Sequence, residues 1–421
     1  MRKIVFIILA SALYLLWAEV RVEKVLETTS TEEYNQWVAK NKNHLPGLRP
    51  ILVDVEPYSI KSIEDTVNVE HKIYYYSESG RLLKKEIIRH PHTYFYIPLT
   101  LDRITITKSG GYKSGIKDEY TVKNSRGEII HTPENWFHYI GMGKYVESHV
   151  TEDGDFPPGA NARIFDEKGH QVGVIPDVAG IDESEMCITF DERYAVFRCH
   201  AFRSSPVVCV NNKGEVVWRK DFGPLIRRVF ISADGTRIGI HHRNLISILN
   251  ENGNLINTFN PFGQQSVSKW NLSPSGDYLV GSDISKYPKI IFYDVSTGKI
   301  LWCDDSTLAK HNDLVKYLHI DINNRVIALC ESHNLYIFNK NGRLEYKMNL
   351  NLGKEWHSIP AEKRSGIVYS KKVAITARAW FSELSGQYLI ITLRRGSVNG
   401  IYSPVKRRIV YKIVEAKQGE R

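Results

Sequence analysis

Cysteines and closely spaced histidines are the residues of this chain that could bind a metal ion. The histidines His90 and His92 flank a proline with no cysteine or carboxylate close by, which favours an exposed loop. His241 and His242 are adjacent on a predicted strand, so they face opposite sides and cannot share one ion. No C-x-x-C pair or Cys/His zinc spacing occurs among the five cysteines Cys187, Cys199, Cys209, Cys303 and Cys330. The sequence predicts no metal.

Catalytic motifs are equally scarce. The chain has no glycine-rich phosphate loop, no His-Glu-x-x-His and no Gly-x-Ser-x-Gly elbow. An active site assembled from single residues of distant segments would not show as a motif, so this pattern leaves an enzyme open while favouring a protein without catalysis. We therefore predict no catalytic residue and no cofactor.

Cys199 and Cys209 fall on consecutive predicted strands and could face each other. In an oxidising compartment a disulfide there would close a short loop and stabilise the fold by about 2–3 kcal/mol. The alternative is two buried thiols. We favour the thiols because a cross-strand bridge is geometrically demanding.

A turn of the form apolar strand, Asn or Asp, then Gly recurs along the chain. Glycine suits it because it accepts positive φ, and Asn or Asp can hydrogen-bond the local backbone. Successive turn glycines lie 39 to 47 residues apart, at Gly80, Gly127, Gly169, Gly214, Gly253, Gly298 and Gly342. This regular spacing indicates a repeat.

A second turn lies between these glycines, for example at Ala233-Asp234-Gly235 and Pro274-Ser275-Gly276. Two turns per repeat give four strands, and four short strands in 40 to 50 residues are typical of a β-propeller blade. We expect Ile51 to Val55 and His71 to Leu83 to complete a blade with the C-terminal strands, which gives a seven-bladed all-β propeller, with eight blades as the alternative. A β-sandwich is disfavoured because sandwiches do not repeat at a fixed period.

Two repeats carry a tryptophan after the turn. The segment Asp294-x-x-Thr297-Gly298-Lys299-x-x-Trp302 resembles the tryptophan-docking motif of quinoprotein-like propellers, and Asn211 to Trp218 is a looser copy. The Ser-Pro-Ser-Gly276 turn resembles that of WD-repeat propellers. The resemblance covers roughly residues 135 to 415, and it implies that Trp218 and Trp302 staple neighbouring blades. It does not extend to a quinone site, because the chain lacks the adjacent cysteines and clustered carboxylates of the enzymes.

The N-terminus reads Met-Arg-Lys followed by an apolar run, Ile4 to Ala18, which is short for a membrane span and precedes charged residues. We predict a signal peptide or N-terminal anchor at 1–18, a linker with one short helix at 19–48, and the propeller at 49–421. The pattern Ser30-x-x-Glu33 predicts a helix start. The expected location is secreted or periplasmic, with membrane anchoring as the alternative.

Two irregular segments are candidate binding loops, one with Asp155 and Phe156 and one with Trp356 and His357. The formal net charge is +9, and Lys/Arg residues concentrate near the C-terminus, where they could meet an anionic surface. Nucleic acid is not expected for an exported protein. The function predicted is an exported, non-catalytic propeller that binds or scaffolds another protein or an envelope component. The alternative is a propeller lyase, hydrolase or quinone-dependent oxidoreductase acting on sugars or peptides.

Overall fold

A computed structural model of the 421-residue chain describes part of its length. The described residues are 20–45, 48, 50–56, 68–91, 99–101, 104–111, 116–134, 137–149, 157–189, 191–201, 204–223, 225–260, 267–283, 288–309, 313–352, 357–358, 363–364, 367–368, 374–375, 379–394, 397–398, 401–402 and 405–415. The candidate loop residues Asp155, Phe156 and Trp356 and the predicted signal peptide lie outside these ranges.

The described chain is nearly all β and forms seven four-stranded antiparallel sheets and one three-stranded sheet. We number them in chain order. Sheet 1 is Val53–Glu56, Asn68–Tyr76 and Leu82–Pro91; sheet 2 is Leu99–Leu101, Ile104–Gly111, Ile116–Lys123 and Ile129–His131; sheet 3 is Phe137–Gly141, Lys144–Glu147, Ala162–Asp166 and Gln171–Ile175; sheet 4 is Gly180–Ile188, Tyr194–His200, Pro206–Asn211 and Val216–Asp221.

The next three sheets continue the same order of strands. Sheet 5 is Ile226–Ile231, Arg237–His242, Leu245–Asn250 and Leu255–Phe259; sheet 6 is Val267–Leu272, Tyr278–Asp283, Ile290–Asp294 and Ile300–Asp304; sheet 7 is Val315–Ile320, Val326–Cys330, Asn334–Phe338 and Leu344–Asn349. Sheet 8 is Ala379–Ser385, Tyr388–Arg394, Val405–Glu415 and Val20–Thr28. Three short hairpins pair His357–Ser358 with Ala374–Ile375, Lys363–Arg364 with Ile367–Val368, and Ser397–Val398 with Ile401–Tyr402.

Burial differs between the inner and outer strands of a sheet. The third strand of sheet 4, Pro206–Asn211, is buried at five successive positions, whereas the fourth, Val216–Asp221, alternates between more and less exposed residues. A strand buried on both faces must lie between two neighbouring layers. Each sheet from 2 to 7 accordingly shares an apolar cluster with the next, so the core is a series of sheet-to-sheet contacts.

In sheets 2 to 7, the glycine of the last hairpin packs against the outer strand of the preceding sheet. Gly253 of sheet 5 has φ +79, and a Cβ atom there would lie 2.9 Å from Cγ of Trp218 in sheet 4. A Cβ on Gly342 would similarly lie 2.7 Å from Cγ of Trp302. Glycine is therefore needed twice over, for its positive φ and for the close approach. The same positive φ occurs at Gly80, Gly127, Gly169, Gly214 and Gly298.

The two tryptophans also donate hydrogen bonds to the turn they cover. Trp218 Nε1 donates to Glu251 O at 2.9 Å, and Trp302 Nε1 donates to Lys340 O at 3.1 Å. Each indole thus contacts the next sheet through both its ring and its N–H group. An aromatic ring with a satisfied donor contributes buried apolar area without leaving a polar atom unpaired.

The two ends of the described chain meet in sheet 8, where Val20 pairs with Glu415 and Thr28 with Arg408. The prediction that residues 51–55 and 71–83 would join the C-terminal strands is wrong. Val53–Glu56 instead pairs with Asn68–Tyr76 in sheet 1. Val20–Thr28, which lies in the predicted linker, is an outer strand. Its charged side chains give it no apolar strand pattern, and charged residues are common at sheet edges.

Helix α1, Thr31–Asn41, lies between sheet 8 and sheet 1. Ser30 caps it by accepting a hydrogen bond from Glu33 N at 3.2 Å, which confirms the predicted helix start, although the Glu33 carboxylate accepts from the Thr28 hydroxyl instead of Ser30 N. On one side Tyr34 and Val38 pack against Tyr388, Ile390 and Val410 of sheet 8.

The other side of α1 contacts the start of sheet 1. Buried Asn35 donates to Ile51 O at 2.6 Å and accepts from Ile51 N at 2.8 Å, and Gly80 of sheet 1 approaches the Asn35 Cβ position. The turn glycine of sheet 1 therefore packs against a helix, where the other turn glycines pack against a strand.

We predict that Trp218→Ala lowers the free energy of unfolding by about 3–5 kcal/mol because it leaves a cavity between sheets 4 and 5. Trp218→Phe should lower the free energy of unfolding by less, because an aromatic ring still fills most of the space. The lost hydrogen bond accounts for about 1 kcal/mol, in addition to a small loss of buried apolar area. Urea unfolding followed by circular dichroism measures both. Val217→Ala, at an adjacent position that is 39% exposed, is the control and should change little. Equal effects of Ala at 217 and 218 would show that the indole is not a staple.

Candidate functional site

The turns between the first and second strands of sheets 4 to 8 converge on one cavity of about 580 Å³. Each of these five consecutive sheets contributes a turn residue: Asp191, Asp234, Pro274, Asp321 and Gly386 in order. These positions are spread over almost 200 residues of sequence, and the stacking of the sheets brings them together.

Aliphatic side chains form the wall beneath the turns. Ile188, Ile231, Leu272 and Ile320 are each the last residue of the first strand of their sheet, and Leu384 is the second-last in sheet 8. The equivalent position is thus aliphatic in all five sheets. At the mouth, Ile322 is 52% exposed and also lines the cavity. An open cavity with such a wall suits a ligand that presents apolar groups.

The three carboxylates at the cavity hold their own turns. Asp321 is fully buried and accepts from Asn323 N at 2.9 Å, Arg325 N at 2.8 Å and Arg325 Nε at 2.7 Å. Asp234 accepts from Ser232 Oγ at 2.6 Å and Thr236 N at 3.0 Å. These hydrogen bonds are those by which Asp stabilises a tight turn.

Asp191 follows the same pattern at the turn of sheet 4. It accepts from Arg193 N at 3.1 Å and forms an ion pair with the Arg193 guanidinium. Burial works against ionisation of Asp191, but hydrogen bonds from Thr189 and Arg193 outweigh it and lower its pKa. A carboxylate so held is a poor proton donor. No group of three or more His, Cys, Asp or Glu side chains placed to hold a metal occurs among the residues that the structure describes.

Two polar side chains reach into the cavity from the first strands of sheets 6 and 7, and they occupy equivalent positions. Asn271 Nδ2 donates to Leu318 O at 3.1 Å, which ties the two strands together. His319 has its pKa lowered to about 4, chiefly by burial and further by the Arg228 guanidinium. The imidazole is therefore neutral at neutral pH.

The predicted disulfide alternative is not present, since Cys199 and Cys209 are both free and buried. Cys209 pairs with Val196 across the two strands and belongs to the cluster shared by sheets 4 and 5, whereas Cys199 belongs to the cluster shared by sheets 3 and 4. The two thiols therefore lie on opposite faces of sheet 4. Burial raises the pKa of Cys209 to about 12, so it stays protonated.

The C-terminal cations expected to form a surface patch partly serve the fold. Arg407 forms an ion pair with Glu27 at 2.7 Å. Arg408 is buried, lies 4.8 Å from the centroid of the Tyr34 ring and donates to Thr31 Oγ1 at 3.0 Å. These contacts fasten Val405–Glu415 to the N-terminal strand and to α1, so fewer of these charges remain for a partner.

Of the candidate loop residues, His357 lies at the start of a two-residue strand and pairs with Ile375. Among the described residues no helix has the length and apolar composition needed to cross a bilayer. No sequence motif marks the cavity residues, because each of the five sheets contributes only two to four of them. The recurrent turn after the first strand was the available signal.

Comparisons with known proteins find distant structural neighbours alone. No protein-family model and no curated protein sequence matches the chain. BamB from Moraxella catarrhalis is 10% identical with a TM-score of 0.43, over 93% of this chain and 98% of that one. A eukaryotic initiation factor is 10% identical with a TM-score of 0.45, over 71% of this chain and 78% of that one. Likeness at this level carries no conclusion about function.

We predict that the stability of the protein falls as the pH drops from 6.5 to 4, with a contribution from His319. The folded pKa is about 4 and the unfolded value about 6.5, so the unfolded state binds more protons in this window and stability decreases with falling pH. His319→Asn should flatten the change in urea midpoint between pH 7 and pH 4.5. The exposed His44 provides the control His44→Asn, which should keep the wild-type slope. An unchanged slope in His319→Asn would contradict the assignment.

Proposed function

We propose that the eight sheets are blades of one β-propeller, the eight-bladed alternative of the sequence prediction. Support comes from the packing of sheets 2 to 8 in chain order and from the convergence of five turns on one cavity. Helix α1 fills the position between sheet 8 and sheet 1, with contacts on both sides. The propeller domain then runs from about residue 20 to 415 and includes the strand Val20–Thr28.

The function is non-catalytic binding of another protein, with the cavity face as the docking surface. The observation that carries this proposal is the state of the cavity carboxylates: Asp191, Asp234 and Asp321 are all engaged by their own turns. What remains at the mouth is aliphatic, including the exposed Ile322. An apolar patch surrounded by satisfied polar groups is characteristic of an interaction surface. The chain is exported, by way of the apolar segment at residues 4–18.

A second candidate, a propeller enzyme, is favoured by the convergence of His319 with three carboxylates in one cavity. A neutral histidine near an acid could act as a general base. The carboxylates, however, direct their oxygens to backbone N–H groups and to their local partners Arg193, Thr236 and Arg325. This arrangement suits a rigid frame better than proton transfer.

The docking proposal is tested by site-specific photocrosslinking in the native host. A benzophenone amino acid at Ile322, on the cavity mouth, should give a discrete crosslinked species that mass spectrometry identifies as a protein. The same group at Leu255, which is 61% exposed on the outer strand of sheet 5, is the control and should give none. Crosslinks at 255 alone would place the interface elsewhere and refute the proposal.

The enzyme alternative predicts a different result from the natively purified protein. An absorbance spectrum and elemental analysis should show no quinone band and no near-stoichiometric metal if the protein only binds partners. Either signal would favour the enzyme and direct attention to His319 and its neighbours.

A further inference from the structure

Positively charged residues occur at a similar position along the first strands of three consecutive sheets, at or next to a bulge. Arg228 of sheet 5 pairs with His241, Lys269 of sheet 6 pairs with Ser282, and each follows a bulge in its strand. Sheet 7 has a bulge at the same place, and its extra residue is Lys316. Arg227 is the extra residue in sheet 5. We call Arg228, Lys269 and Lys316 the cation cluster.

The cation cluster has no counter-charge among the residues that the structure describes, where none of its members forms an ion pair or side-chain hydrogen bond. Lys269 is half-buried, and its pKa is lowered by burial and then by Arg228 and Lys316. The first strands of sheets 5, 6 and 7 lie side by side, and the Lys269 ammonium is repelled from one side by Arg228 and from the other by Lys316. Other cations of this chain, such as Arg325 and Arg407, have carboxylate partners at 2.7 Å.

An exposed lysine needs no partner because water solvates it, and this explanation covers Lys316. It does not cover Lys269, which loses part of its hydration and gains two repelling neighbours. Such an arrangement opposes folding and is best explained by a ligand that supplies the negative charge.

The cluster is connected to the cavity. Lys269 and Asn271 are two residues apart on one strand and so point to the same side, and Asn271 lines the cavity. Arg228 also acts on His319, another cavity residue, by lowering its pKa. A ligand that enters between the aliphatic walls would therefore approach the cations next.

The origin of the cations favours several negative groups over one. The three cations come from three successive sheets, so a ligand with several negative groups could pair one group with each cation. An extended peptide places alternate side chains about 7 Å apart and could offer a carboxylate to each cation in turn. Among the residues that the structure describes, no backbone feature that commonly holds phosphate, such as a glycine-rich loop before a helix, accompanies the cluster.

We infer that the cation cluster binds an acidic segment of the protein partner, which inserts into the cavity and pairs its carboxylates with Arg228, Lys269 and Lys316. This inference rests on the proposed protein-binding function and specifies the chemistry of the partner. The aliphatic wall would contact apolar residues that flank the acidic ones.

The test uses the full exported chain and a fluorescein-labelled hexaglutamate peptide, with binding followed by anisotropy. Lys269→Met should weaken binding roughly tenfold or more because one charge contact is lost. Lys213→Met, which removes an exposed lysine in the turn of sheet 4, is the matched control and should bind like the wild type. Equal affinity of the wild type and Lys269→Met would overturn the inference.

Two further measurements separate the possible results. Inorganic phosphate should compete no better than chloride at equal ionic strength, and strong competition by phosphate would overturn the choice of an acidic peptide. Lys269→Met should also raise the thermal midpoint of the free protein, since it removes a repelled, half-buried charge. If that variant does not fold, Lys316→Met at an exposed position replaces it, with the same expected loss of binding.

The outcome is distinguishable from that of the docking experiment. Crosslinking at Ile322 without hexaglutamate binding would keep a protein partner and reject its acidic segment. Hexaglutamate binding that depends on Lys269 without crosslinking at Ile322 would support the anion site and reject docking at the mouth.

Discussion

The pairing of Val20–Thr28 with Val405–Glu415 is the contact on which the rest of the architecture depends. Sheets 2 to 8 bury apolar side chains between successive layers, and such a series exposes an apolar face wherever it stops. The pairing gives sheet 8 its fourth strand, and α1 continues directly from Val20–Thr28 to cover the next face. The ends of the described chain therefore protect the last layer, as edge protection in repeat proteins requires.

The stacking itself depends on one recurrent contact, between a turn glycine and the outer strand before it. The partner residue is not fixed: Trp218 and Trp302 serve in two sheets, Val172 and Asn257 in two others, and α1 at sheet 1. What is constant is the lack of a Cβ on the turn side, which lets the neighbouring residue approach the turn closely. The regular interval between turn glycines in the sequence therefore marks successive sheets, even where the side chains that pack against these glycines differ.

Much of this could be predicted from the sequence because it depends on local chemistry. The turn glycines, the four-stranded repeat and the helix capped by Ser30 all follow from residue type and short spacing. The strand Val20–Thr28 could not be recognised, since its charged residues pair with Arg407 and with one another instead of forming an apolar pattern. The cavity and the cation cluster were also out of reach, because single residues of several sheets form them and only the stacking decides which ones meet.

The charges on the first strands change sign along the length of the strands. At the turn end, the carboxylates accept hydrogen bonds from N–H and hydroxyl groups of their own turns, and two of them also pair with an arginine, so they add rigidity. Further along the same strands, Arg228, Lys269 and Lys316 keep their charge without a counter-ion in the described chain, inside a partly desolvated space where fields are screened less than in bulk water. A molecule entering past the aliphatic wall meets a region that rejects cations and attracts anions. The shape of the cavity determines which ligands can enter, and the positive field determines that their negative groups lie deepest in it.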